Sequence, residues 1–117
     1  MPLVTPKRLR AVYTLLQQAP PFDRWGLPPP TEVKFEVLSD EDHGEYSVDW
    51  DDRHYIAINA DTHLTLHQVL ESVAHEMIHL RQQMLGRFPG QKDAHNAEFR
   101  RLRRVVCRAL GFDVQRF

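Results

Sequence analysis

The sequence has little of several features that would place it in a particular class of protein. Its 117 residues include one cysteine, Cys107, which excludes an internal disulfide bond and a cysteine-rich zinc knuckle. No apolar run approaches the roughly 20 residues that a membrane-spanning helix needs. The N-terminal stretch also lacks the continuous apolar segment of a signal peptide. We therefore expect a cytoplasmic protein with no membrane partner.

Net charge is also small, at −1, so the total does not indicate a partner. Its distribution is uneven, because residues 31–61 carry ten acidic against two basic side chains, and residues 81–117 carry nine basic against three acidic ones. Five of those bases belong to one predicted helix: Arg100, Arg101, Arg103, Arg104 and Arg108. Two interpretations stay open, namely two solvated faces or a basic surface that meets nucleic acid or an acidic partner.

The remaining composition is that of a soluble globular protein, with 42% hydrophobic and 26% charged residues, and the length predicts one domain over residues 1–117. Apolar spacing predicts a first helix over residues 6–18, opened by Thr5-Pro6 and stopped by Pro20-Pro21. A proline-rich connector over residues 20–30 follows. Alternating apolar residues then predict three strands at residues 32–38, 45–50 and 54–59, mostly joined as hairpins.

Two further helices complete the predicted fold. Thr65 with Gln68 fits a capping box and Leu64 with Val69 fits the accompanying hydrophobic staple, so the second helix begins there and ends before Gly86. The third helix is predicted from an N-cap at Asp93 to Gly111. The sequence therefore predicts an α+β domain in which a small, mostly antiparallel three-stranded sheet packs with three helices.

The second helix contains the segment VAHEMIHLRQQ, in which His75, Glu76 and His79 spell H-E-x-x-H. Residues four apart lie one turn apart on the same helix face, so both imidazoles can bind one ion. In hydrolases with this pattern the glutamate acts as general base on a zinc-activated water. Solvent-facing histidines on a surface helix are the alternative interpretation.

A catalytic zinc needs three protein ligands and one open position. We expect His95, in the first turn of the predicted third helix, to be the third ligand. Glu98, one turn further on, is the rival ligand, or else a residue that supports a ligand by hydrogen bonding or a structural salt-bridge partner.

The run HEMIH, followed after a gap by HNAEF at residues 95–99, resembles the SprT-like metallopeptidase family. In that family H-E-x-x-H is followed by H-G-x-x-F, so Asn96 stands where a glycine is usual. The order of a helix, a proline-rich connector, a short sheet and the active helix is also similar. The resemblance implies a minimal zincin-like catalytic domain that binds Zn²⁺ through His75, His79 and His95. The chain lacks the four-cysteine zinc ribbon of many relatives.

The hypothesis is a zinc-dependent metalloendopeptidase that hydrolyses peptide bonds with Glu76 as general base. Its substrate is a protein or peptide, which could add as a strand to HYIAIN at residues 54–59, and relatives of this type suggest nucleic-acid-associated proteins. The alternative is a non-catalytic zinc-binding interaction or regulatory module. Besides nearby arginines, six residues stay open as candidates for stabilising an oxyanion: His43, His54, His63, His67, Tyr46 and Tyr55.

Overall fold

The structure is a computed structural model that describes residues 3–39, 42–63, 65–90 and 93–117. Within them the chain forms α1 (Pro6–Gln17), β1 (Val33–Leu38), β2 (Gly44–Val48), β3 (His54–Asn59), α2 (Leu66–Met84) and α3 (Ala97–Leu110). The predicted α+β class, with three helices and a three-stranded sheet, is confirmed.

Helix α1 begins and ends close to its predicted limits. The Thr5 hydroxyl accepts a hydrogen bond from the Arg8 amide, which satisfies one of the free N–H groups of the first turn. Its apolar stripe includes Leu9 and Tyr13, both at 0% exposure. The Tyr13 hydroxyl donates to the Pro28 carbonyl at 2.6 Å, which ties the proline-rich connector to the helix.

The sheet is mixed, in the order β1-β3-β2, with β1 parallel to β3 and β2 antiparallel to it. The expected hairpin between β1 and β2 is therefore wrong, as is the expectation of a mostly antiparallel sheet. The reason lies in β3, whose central residues Ile56, Ala57 and Ile58 are all fully buried. A strand that is apolar on both faces takes the middle of a sheet, so β3 separates the two strands that alternate.

Strand β2 also ends earlier than predicted, at Val48 rather than at residue 50. The Asp49 carboxylate accepts hydrogen bonds from the amides of Asp51 and Arg53, which folds the chain into a tight turn before β3. Trp50 lies in that turn and is 94% exposed. The prediction that the strand extends to residue 50 is therefore wrong.

Helix α2 lies at the centre of the domain and contacts α1, α3, β2 and β3. The capping box of Thr65 and Gln68 is present, with both reciprocal hydrogen bonds. Leu64, the predicted staple residue, lies outside the described residues. Gly86 follows the helix with a φ of +69°, a left-handed conformation that glycine adopts without strain. This confirms the predicted end of the helix.

Helix α3 begins at Ala97, with Asn96 as its N-cap, instead of beginning after Asp93. The Asn96 side chain accepts a hydrogen bond from the Phe99 amide at 3.0 Å, and this cap sets the first turn. His95 consequently lies in the turn before the helix rather than in the helix, which corrects the prediction. In the part of the chain that the structure describes, no helix is both long and apolar enough to cross a membrane.

Candidate metal centre and cleft

The three predicted histidine ligands come together between α2 and the turn before α3. The available nitrogen atoms of His75, His79 and His95 all lie within 4.8 Å of one another. The Nε2 atoms of His75 and His95 are 3.0 Å apart. Two nitrogen ligands of one tetrahedral zinc are separated by about 3.3 Å, given Zn–N distances of about 2.0–2.1 Å. The closest pair is therefore spaced much as two ligands of one zinc ion would be, and the three histidines together could hold a metal ion.

The ring of Phe99 packs against all three imidazoles of the cluster. Phe99 is fully buried, and its ring centroid lies 4.8 Å from His75, 4.6 Å from His79 and 4.5 Å from His95. Because Asn96 caps α3, the first turn of that helix directs Phe99 under the cluster. The ring packs against the imidazoles and keeps water from that side of the site.

Two of the histidines are oriented through their second ring nitrogen. The Nδ1 atom of His75 lies 2.7 Å from the main-chain oxygen of Phe117. The Nδ1 atom of His79 lies 3.4 Å from Oε1 of Gln82, a fully buried side chain. Both arrangements leave Nε2 free to bind a metal, as is common for histidine ligands in proteins.

Glu98 lies outside the cluster of possible ligands among the described residues. One carboxylate oxygen accepts from the side-chain amide of Gln82 at 3.1 Å, and the other from Arg87 at 3.1 Å. Because a carboxylate only accepts, it directs the Gln82 amide nitrogen toward itself and the Gln82 oxygen toward His79. Glu98 is thus linked to His79 through Gln82 and also forms a salt bridge with Arg87.

Glu76 lies beside the cluster and is 7% exposed. Burial raises the pKa of its carboxyl to about 8, and the nearby Glu45 adds to the rise. Gly44, the first residue of β2, faces this carboxyl closely, since a Cβ atom there would lie 2.9 Å from Oε2 of Glu76. The space for the carboxyl thus depends on a glycine that no sequence motif singles out.

Burial also keeps the three imidazoles neutral. It lowers the pKa of His75 to about 4 and that of His79 to about 3. The pKa of His95 is lowered by burial and by the positive charge of Arg103. Neutral imidazole is the form that binds a metal, so the site is in its binding form at neutral pH.

These groups open onto one cleft of about 770 Å³, whose described lining includes His43, Gly44, His67, Ser72, His75, Glu76, His79, His95, Arg116 and Phe117. Of the six candidates for oxyanion stabilisation, His43 and His67 line this cleft. Tyr46 and His54 pair with each other at 2.8 Å. His63 is buried, with Nε2 2.6 Å from the Ser72 hydroxyl. Tyr55 lies on the central strand β3.

The predicted basic surface lies on α3. Four of its five arginines are exposed, and Arg103 is half-buried. Arg101, Arg104 and Arg108 surround a shallow depression whose remaining lining is Val105 and Ala109. The structure therefore keeps these charges in solvent, where a polyanion could reach them.

Comparison of the chain with protein-family models, curated proteins and solved structures found no match. The geometry of the site and the motifs that form it therefore carry the functional assignment.

Proposed function

We propose that this chain is a zinc-dependent metallopeptidase domain of the SprT-like type. The observation that carries the proposal is the convergence of three neutral imidazoles beside a buried carboxyl, all opening onto one cleft. His75, His79 and His95 would hold the zinc. When bound, the ion would act as a Lewis acid and lower the pKa of a coordinated water toward about 7.

Glu76 is the residue proposed to move the proton. Its carboxylate would accept a proton from the attacking water and deliver it to the leaving amine. Its position next to Gly44 places the carboxyl in the lining of the cleft rather than in bulk solvent.

An open ligand set supports catalysis over the alternative of a structural zinc module. A structural zinc is closed by a fourth protein ligand. Among the described residues, the cluster that could hold a metal contains three groups and no fourth. Cys107, the single cysteine, is buried in α3. Its free thiol is also consistent with the cytoplasmic location that forms part of the proposal.

The substrate would be an extended peptide that pairs with β2. The earlier expectation of HYIAIN as the docking strand is wrong, because those residues form the central strand β3. In the described sheet β2 has one neighbour, β3, and it begins at Gly44, which lines the cleft. A peptide added along the outer edge of β2 would gain main-chain hydrogen bonds and pass the candidate centre.

Substitution of Glu76 by glutamine tests the proposal. We expect Glu76→Gln to retain about one zinc per chain and to lose peptide cleavage by roughly 10²–10⁴-fold, the range for removal of a general base. The control is Glu32→Gln, which makes the same change at an exposed residue and should leave cleavage unaltered. A wild-type chain that binds no zinc, or cleavage by Glu76→Gln at the wild-type rate, would refute the proposal.

Nucleic-acid-associated proteins are the substrate class that the exposed arginines of α3 favour. If α3 binds DNA through phosphates, the logarithm of the affinity should fall linearly with the logarithm of the salt concentration. The double substitution Arg101→Ala with Arg104→Ala should reduce that slope by roughly two contacts. An absence of binding at low salt would remove nucleic acid from the proposal and leave the peptidase intact.

A further inference from the structure

One stripe of α2 is covered by the segment at residues 112–117, which we call the strap. The stripe consists of His67, Glu71 and His75, which stand four residues apart and therefore follow one another along a single helix face. Each has a partner in the strap: the Phe112 ring lies 5.6 Å from the ring of His67, Arg116 pairs with Glu71, and the main-chain oxygen of Phe117 meets His75.

The strap has a defined conformation of its own. Gly111 ends α3 with a φ of +75°, and the Phe112 amide donates back to the Cys107 carbonyl at 3.0 Å. The amides of Arg116 and Phe117 both donate to the Asp113 carbonyl at 3.1 Å. These bonds turn the chain back toward α2, so the strap meets the helix in one arrangement.

An ion pair fixes the strap near its end. Arg116 donates to both carboxylate oxygens of Glu71, at 3.4 and 3.2 Å. The Glu71 side chain is only 10% exposed, whereas Arg116 is 60% exposed. The same carboxylate lies 3.6 Å from Nε2 of His67, and a nearly buried carboxylate that loses a partner carries a larger cost than an exposed one.

We propose that the strap positions His75 for metal binding, with Arg116 and Phe117 as positioning residues. A main-chain oxygen can only accept a hydrogen bond, so at 2.7 Å it requires the proton of neutral His75 to be on Nδ1. The lone pair is then on Nε2, the atom that faces His95. This inference rests on the proposed function only in naming zinc as the metal.

The first measurement is the tautomer of His75 in the metal-free protein. Two-bond proton–nitrogen correlations of ¹⁵N-labelled imidazoles distinguish a proton on Nδ1 from one on Nε2. We expect wild-type His75 to show the Nδ1–H form alone. Arg116→Glu places a second negative charge beside Glu71, and we expect it to show a mixture of the Nδ1–H and Nε2–H forms. We expect Arg116→Lys, which keeps the positive charge, to show the Nδ1–H form as wild type does.

The second measurement is zinc affinity, by competition with a chelator. Loss of a group that orients a metal ligand lowers affinity by about 10–100-fold, and we expect a loss in this range for Arg116→Glu. The control is Arg10→Glu, which makes the same charge change at an exposed position of α1. Circular dichroism establishes that each variant is folded.

A second variant removes the contact directly, should Arg116→Glu fail to fold: deletion of residues 114–117 takes away the main-chain oxygen itself. The proposal is overturned if a folded variant without the strap keeps His75 in the Nδ1–H form and binds zinc within twofold of wild type. The proposal is supported if the tautomer of His75 and the affinity for zinc both change in such a variant. A wild-type chain that binds no zinc contradicts the proposed function, whereas the tautomer comparison still decides whether the strap orients His75.

Discussion

Gly44 offers a way to move the carboxyl of Glu76 without touching the metal ligands. In the substitution Gly44→Ala the new Cβ atom would lie 2.9 Å from Oε2 of Glu76, 3.3 Å from Cδ1 of Ile58 and 3.4 Å from the Ala57 carbonyl oxygen. The Ala57 carbonyl oxygen belongs to the backbone of the central strand β3 and cannot move away. The Glu76 carboxyl must therefore rotate away, and the methyl group of Ile58 must shift slightly.

The expected losses of stability and of cleavage in Gly44→Ala depend on which atoms must move to make room for the new methyl group. Overpacking of a closely packed site costs typically about 1–3 kcal/mol, and we expect the lower end, because the closest atom ends a rotatable side chain. Catalysis should suffer more than folding, since displacement of a reacting group by about 1 Å can reduce a rate by roughly 10²-fold. Zinc binding should be retained, because Gly44 faces Glu76 and not the imidazole cluster.

The assay compares zinc content, urea unfolding and peptide cleavage in wild type, Gly44→Ala and the control Ser47→Ala. Ser47 lies on the same strand, and its side chain points to the opposite face because strand residues alternate. Cleavage at the wild-type rate by a folded Gly44→Ala chain would refute the reasoning that this glycine places the carboxyl. Loss of zinc in the same variant would show that the change spreads beyond Glu76.

Three further predictions concern the support of the site. Phe99→Ala should lower the free energy of unfolding by about 3–5 kcal/mol, as measured by urea, because the ring is fully buried, and should weaken zinc binding; stability within 1 kcal/mol of wild type would contradict this. Burial is the main cause that lowers the pKa of His63 below 6.5, so the folded state binds fewer protons than the unfolded chain. Stability should then fall as pH drops below about 6.5, and His63→Asn should lose less stability than wild type between pH 7.5 and 5.5. Zinc at 100 times its dissociation constant should add about 2.7 kcal/mol to the free energy of unfolding, an increase that EDTA removes and that a chain without a zinc site would not show.

The geometry of His75 and His79 follows from the sequence because it is local. Two residues four apart on an amphipathic helix lie on one face whatever the helix packs against. The capping box of α2 was predictable for the same reason, since Thr65 and Gln68 interact within one turn. Sequence spacing alone decides such features, provided the helix forms.

Strand order was not predictable in this way. Alternation in β1 and β2 shows that each has one buried face, but it does not say which strand lies between them. The deciding observation is that β3 is buried on both faces, and the sequence does show it as an apolar run, IAI at residues 56–58. That apolar run indicates that β3 lies in the centre of the sheet, which leaves β1 and β2 at its edges.

The start of α3 depended on a choice between two good N-caps. Asp93 and Asn96 are both favoured at that position, so local preference does not separate them. Tertiary packing does, because the turn that begins at Asn96 brings Phe99 under the three imidazoles. The contact between Phe117 and His75 has no counterpart in the local pattern, since the two residues are 42 positions apart.

Two kinds of contact therefore determine the geometry of the site, and a substitution can disrupt one without the other. Helical spacing fixes where the imidazoles of His75 and His79 leave α2, whereas the hydrogen bonds that these rings donate to Gln82 and to the strap fix how each ring is turned. A change in the strap should consequently alter metal affinity while α2 keeps its helical structure. A change in Phe99 should weaken both, because its ring is at once part of the core and the floor of the cluster. Variants of these two classes can be told apart by the ratio of lost zinc affinity to lost folding stability.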